Sequence, residues 1–178
     1  MGRILDDVRA TVLPFVGRLV GTCADHGALY VTTETDMAEY VGLVHYDVAS
    51  TVERLRERGF TENALAAYKT IEGTSVSEQA SLAWRGPRDE LTDGADGLPD
   101  SDPLADRQLH VILFELDGRP GTTTVFAHWE YSWITHPIKH YRGTGVRDRL
   151  GASTARRFLE ATELPFETPS IDTLVADR

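Results

Sequence analysis

The chain of 178 residues holds a single cysteine, two methionines and, among eighteen basic residues, only two lysines, Lys69 and Lys139. Cys23 alone can close no internal disulfide and leaves no second thiol for a cysteine-based zinc site, so a reducing, cytoplasmic setting is expected. His26 lies near it in a Cys-Ala-Asp-His stretch, but that stretch matches no nucleophile pattern, and Cys23 reads as a small packed or helix-end residue. No run reaches the roughly eighteen apolar residues of a membrane span. Near the N-terminus, Asp6, Asp7 and Pro14 interrupt the apolar segment where a secretory signal needs an unbroken run behind a positive end. A dinucleotide-type glycine fingerprint and a Gly-x-Ser-x-Gly elbow are also missing, which removes two common enzyme classes.

What is abundant is negative charge. Twenty-eight acidic residues against eighteen basic ones give a formal charge of -10 and a pI near 5.0. Nucleic acid and anionic membranes are therefore not expected partners, since both are met by clustered Lys and Arg. The excess of carboxylates together with scarce lysine resembles the cytoplasmic proteins of halophilic archaea. A surface of that kind repels itself at low ionic strength and is screened in high salt.

The length suits one domain with a sizeable core, and residues 1–164 are read as that domain, with 165–178 as an extended tail. Apolar residues at intervals of three and four from Ile4 to Leu19 predict a first helix, broken near Pro14. Residues 28–34 and 39–45 are rich in Val, Tyr and Thr and predict two strands. A helix follows from Asp47 to Gly59, with Ser50 and Glu53 at a capping-box spacing and Val48, Val52 and Leu55 on its apolar side. Residues 63–71 and 75–85, separated by Glu72, Gly73 and Thr74, predict a hairpin, with a helix over 62–70 as the rival reading. Residues 86–107 lose nearly all large apolar groups and predict an acidic, mobile loop within the domain.

The clearest hairpin joins "QLHVILFEL" to "TTTVFAHWEYSW" through "DGRPG". A last helix is expected from about Thr144 to Ala161, with Val146, Leu150, Ala155 and Phe158 as candidates for its buried side. Together these elements predict an α+β fold, a mostly antiparallel sheet with helices packed on one face.

Residues 128–141, "HWEYSWITHPIKHY", concentrate three histidines, aromatic rings and a carboxylate. If "DGRPG" is a five-residue loop, Leu116 pairs with Thr122, and the ladder sets Phe114 opposite Thr124, Ile112 opposite Phe126 and His110 opposite His128. Directly opposed side chains share a face with Cβ atoms about 4.5 to 5.5 Å apart, and Glu130 falls on that face. Two imidazoles and a carboxylate are a competent set for a divalent metal, which His136 or His140 can complete from the following loop. The geometry depends on register, since a shift of one residue separates the two histidines. The competing reading is a polar sheet face bonded to neighbours and water. Val125, Ala127, Trp129, Tyr131 and Trp133 alternate with these positions and are expected on the helix-covered side, as core.

Pro137 stops further pairing, and Gly143 and Gly145 let the chain turn into the last helix. Lys139, Arg142, Gly143 and Gly145, with the free N–H groups of that helix start, form a candidate anion site, with His136 and His140 beside it. His45, beside Tyr46 and Asp47, reads as an ordinary surface histidine unless the sheet carries it to His110 and His128. Three functions remain. The leading one is a small-ligand or divalent-metal-binding domain centred on His110, His128 and Glu130. The others are a non-enzymatic interaction or homo-oligomeric assembly protein, and an anion or phosphate binder at the last helix.

Overall fold

A computed structural model of the protein describes residues 32–63, 68–88, 91, 101–162 and 164–170. The expected first helix, Cys23 and His26 lie outside the described residues. The elements are β1 (Thr32–Glu34), a 3-10 turn (Met37–Glu39), β2 (Tyr40–Val44), α1 (Val48–Arg56), β3 (Thr61–Glu62), β4 (Tyr68–Thr70), β5 (Ala80–Arg85), β6 (Arg107–Phe114), β7 (Thr123–Tyr131), α2 (Pro137–Tyr141), α3 (Asp148–Ala161) and β8 (Phe166–Glu167). Six strands form one antiparallel sheet in the order β3-β5-β6-β7-β2-β8, and β1 pairs in parallel with β4 in a separate ribbon. This is the α+β architecture that the pattern of elements implies. Among the described residues no helix is long and apolar enough to cross a membrane.

The central pair carries the register derived from loop length: Phe114 faces Thr124, Ile112 faces Phe126 and His110 faces His128. Side chains then alternate between faces. Leu109, Val111 and Leu113 of β6, with Val125, Ala127 and Trp129 of β7, form a core with Leu82, Trp84 and Leu55, closed by Ala155, Phe158 and Leu159 of α3. The opposite face is divided along its length. Near the hairpin turn it is apolar, with Ile112, Phe114 and Phe126 against Tyr40, Ile71 and Leu116. At the far end it carries Gln108, His110, His128 and Glu130, all buried.

Helix α1 begins at Asp47, as its composition implies, and the Asp47 carboxylate caps it by accepting from the Ser50 N–H at 2.7 Å. The Ser50–Glu53 spacing lies one turn too late to be the start. Gly59, at φ 81°, ends the helical turn with the left-handed conformation that glycine tolerates.

The structure adds detail to several expectations and moves one. Thr70 and Ser77 pair antiparallel across the Gly73 turn, with Ile71 N–H donating to the Val76 carbonyl and Glu78 N–H to that of Lys69, so the expected hairpin forms at its turn; beyond these rungs β4 pairs with β1 and β5 with β6. Most of the acidic stretch after Gly86 lies outside the described residues; its end is tied back by Asp102 N–H to the Arg85 carbonyl at 2.9 Å and by the Ser101 hydroxyl, which accepts from Arg85 N–H. The segment after Pro165 is extended, yet β8 pairs with Leu43 and Val44 on the edge of the sheet. The last helix starts at Asp148 and not near Thr144. Gly143 and Gly145 sit at φ 62° and 73°, incompatible with helix, and Arg147 first pairs with Trp129 beside β7.

That pairing brings α3 onto the sheet at its closest point. A Cβ at Gly151 would overlap the backbone of His128 and reach within 2.5 Å of Trp129 N. Backbone cannot yield as a flexible side chain can, so the helix itself would have to lift. Gly151→Ala is expected to destabilise the protein by about 3 kcal/mol, at the upper end of typical overpacking costs, despite alanine's better helix propensity. Urea unfolding followed by circular dichroism checks this; an unchanged or raised midpoint contradicts the packing.

Candidate functional site

The polar end of the second sheet face is built from neighbouring strands. In one row Arg85 of β5 stands beside Gln108 of β6, which stands beside Glu130 of β7. In the next row Ala83 precedes His110 and His128. Ladder pairing of β2 with β7 ends at Tyr40 opposite Phe126, after a bulge between Tyr40 and Gly42. Arg156 of α3 donates to the Val41 carbonyl at 2.9 Å and also to that of Tyr40 at this bulge. The 3-10 turn just before β2 thereby delivers Glu39 to His128.

Three ligand-type groups converge. His110 Nδ1 lies 3.0 Å from His128 Nε2 and 3.3 Å from Glu130 Oε1, and His128 Nε2 lies 3.3 Å from Glu130 Oε2. The remaining ring nitrogens have partners of their own. His110 Nε2 is 2.6 Å from the Ser81 hydroxyl, and His128 Nδ1 is 3.1 Å from Glu39 Oε1. The second contact is short but off the hydrogen-bond line, so it is foremost an ion pair. Glu39 is itself held by Lys69, whose Nζ lies 3.0 and 3.2 Å from its two oxygens. Gln108 donates to Glu130 Oε1 at 2.8 Å, and His140 Nδ1 stands 3.1 Å from Oε2.

Burial makes this arrangement electrostatically unequal. His110 loses its charge to burial, which outweighs the pull of the neighbouring Glu130 carboxylate and brings its pKa down to about 4. Burial opposes the charge of His128 too, but the carboxylates of Glu130 and Glu39 outweigh it and hold the pKa up to about 9. Burial would raise both acids; instead His128 keeps Glu130 well below the ordinary range, and His128 with Lys69 keeps Glu39 at about 2. Without metal, the consistent proton placement has His128 as imidazolium, donating from Nε2 to a neutral His110, whose Nε2–H points to Ser81.

Of the residues that the sequence singled out, the fold brings together His110, His128, Glu130 and His140. His110, His128 and Glu130 each place a ligand atom within 4.8 Å of the others, while His140 meets Glu130 at 3.1 Å and the Tyr131 carbonyl at 3.2 Å. His136 turns elsewhere, 3.0 Å from the Thr135 hydroxyl and 3.6 Å from Asp106. Glu39, His128 and Asp148 form a second cluster of ligand type, but Lys69 already faces the same Glu39 oxygen and a cation there would oppose it.

Lys139, Arg142, Gly143 and Gly145 are exposed on α2 and the turn after it, and none caps α3, whose first turn carries Asp148. Lys139 and Arg107 instead lie over the Tyr131 ring, at 4.2 and 3.7 Å. His45 is exposed next to Val44, which pairs with Thr123 at the other end of β7 from His128. Tyr131 and Trp133 do not join the helix-side core expected for them: Tyr131 is half-buried under those cations, and Trp133 is buried beside Arg85, whose guanidinium carbon lies 5.3 Å from its ring centre.

Glu39, Lys69, Ser81, Arg85 and Gln108 are the functional neighbours that sequence reasoning missed. The derived register already places Gln108 opposite Glu130, so that one had a signal; the others arrive through pairings of β2, β4 and β5 that no local pattern encodes. No protein-family model matches the chain, and no curated protein or solved structure matches it either.

A folded-state pKa of His128 near 9, above its ordinary 6.5, means that the imidazolium stabilises the metal-free fold below about pH 6.5 and that this contribution is lost as pH rises through 9. In the presence of chelator the melting temperature should therefore fall between neutral pH and pH 9.5, and His128→Gln should flatten that fall. Thermal melts across pH check it, and a wild-type profile as flat as the variant's contradicts the assignment.

Proposed function

We propose that the protein binds a divalent first-row transition metal through His110 Nδ1, His128 Nε2 and the Glu130 carboxylate. The observation that carries this reading is the spacing: the two ring nitrogens lie 3.0 Å apart, and each lies 3.3 Å from one oxygen of the carboxylate, His110 Nδ1 from Oε1 and His128 Nε2 from Oε2. Ligand bonds of about 2.1 Å place neighbouring ligands roughly 3.0 Å apart in an octahedron and roughly 3.4 Å apart in a tetrahedron, so one ion fits with little rearrangement.

The outer contacts support it. A ligating imidazole needs its other nitrogen held, and Ser81 and Glu39 stand at those nitrogens, while Gln108 and His140 brace the carboxylate. Two imidazoles and one carboxylate select borderline ions such as zinc, iron, manganese or nickel and leave a coordination position for water or a small ligand. An ion so placed polarises a bound oxygen and makes bound water more acidic, which is the chemistry that the site would offer. The acidic, lysine-poor composition supports a salt-rich cytoplasm as the setting.

Protein purified without chelator should carry about one metal per chain by elemental analysis, and the metal should be absent from His128→Ala. In competition titrations Glu39→Gln should bind zinc about 10- to 100-fold more weakly, as loss of an orienting partner does, whereas His136→Ala should match wild type. At pH 7 calorimetry in buffers of differing ionisation heat should show about one proton leaving with each ion, because His128 must give up its Nε2 proton to ligate. Wild-type protein that takes up none of zinc, iron(II), manganese or nickel would make the cluster a buried ion network and nothing more.

A further inference from the structure

Arg85 is 2% exposed, and its hydrogen bonds do not account for it. Nη1 donates to the Thr61 hydroxyl at 2.7 Å. Nε and Nη2, the side-on fork of the guanidinium, are buried and meet no hydrogen-bond partner among the described residues. The same is true of Trp133 Nε1, on the ring beside that guanidinium, and of Gln108 Oε1 in the neighbouring strand position. Buried polar atoms are nearly always paired, and a buried cation without a contacting anion is the costliest exception.

The missing partner has a definable chemistry. Nε and Nη2 are two parallel donors at the spacing of a carboxylate's oxygens, and neither they nor an indole N–H can accept a hydrogen bond. Glu130 does not fill the role: its oxygens are already within 2.8 to 3.3 Å of Gln108, His110, His128 and His140. With a metal bound, Glu130 becomes the carboxylate shared between a dication and the Arg85 charge, while Glu39 is matched by Lys69. That end of the sheet then carries surplus positive charge in a site of low dielectric, and an anion entering it is favoured.

We propose that Arg85 and Trp133 anchor the carboxylate of a small organic acid beside the His110–His128–Glu130 centre. Gln108 Oε1 adds an acceptor suited to a hydroxyl on the same molecule. This names the ligand class of the proposed metal site, and it rests on that reading only for what the acid's other end faces; Arg85 needs an anion in either case.

Glycolate is the probe, titrated by calorimetry into zinc-loaded and metal-free protein against a chloride control of equal ionic strength. The Arg85 Nε–H resonance of 15N-labelled wild type is followed in parallel, so that the result does not depend on any variant folding. Saturable binding that shifts this resonance is expected. Arg85→Met should weaken it at least about tenfold with zinc content unchanged, and Trp133→Phe, which keeps an aromatic ring but loses the N–H, by about three- to tenfold. Stoichiometric zinc with no glycolate binding, or binding that Arg85→Met leaves intact, overturns the anchor and spares the metal reading. Glycolate that shifts the Arg85 resonance in a protein that takes up no zinc supports the anchor and removes the metal.

Discussion

The pairing of β6 with β7 governs everything else described here, because it decides which side chains share a face. With His110 opposite His128, the polar residues at one end of both strands gather on one side and Leu109, Val111, Ala127 and Trp129 go to the other. A slip of a single residue would separate the two histidines, driving either His110 with Gln108 or His128 with Glu130 into the helix-covered core and turning that strand's apolar set outward. The penalty for burying Glu130 among hydrocarbon is large enough that the alternative register is strongly disfavoured. The site and the core are therefore two consequences of one ladder.

Charge is handled by grouping. Glu130 and Glu39 are each almost wholly buried, and each is compensated from several directions, Glu130 by His128, Gln108 and His140 and Glu39 by Lys69 and His128. His128 touches both acids and is the hinge of the network, which is why its proton is held so tightly. Its backbone is also where α3 sits closest to the sheet, at Gly151. The charge of this one ring is thus felt by both carboxylates on its face of the sheet, while its backbone seats α3 on the other. Arg85 is the member that this balance leaves over, its Nε and Nη2 buried and without a hydrogen-bond partner among the described residues.

The histidine pair, Glu130 and the side they share were legible because they depend on local information: the length of "DGRPG" and the two-residue period of strands. Helix α1 was legible for the same kind of reason, opening at Asp47, with Ser50 supplying the N–H that Asp47 caps. The start of α3 was misplaced because Gly143 and Gly145 adopt left-handed turns that propensity alone does not foresee, and with it went the geometry of an anion site at Lys139 and Arg142. His136 and His140 look equivalent as neighbours of the same strand end. The helical turn of α2 separates them, aiming one at Asp106 and the other at Glu130.

By itself the sequence determined the α+β class, the hairpin register and a compact ligand-type trio, since each follows from short-range spacing and the cost of burying the wrong face. Only the tertiary structure decided what surrounds the trio. Glu39 reaches His128 from the 3-10 turn ahead of β2, which pairs across about eighty residues, Lys69 arrives from a separate ribbon, and Arg85 comes from the far side of β6. Such long-range pairings are selected by the summed burial and charge compensation of the whole sheet, and no local stretch of chain carries that sum.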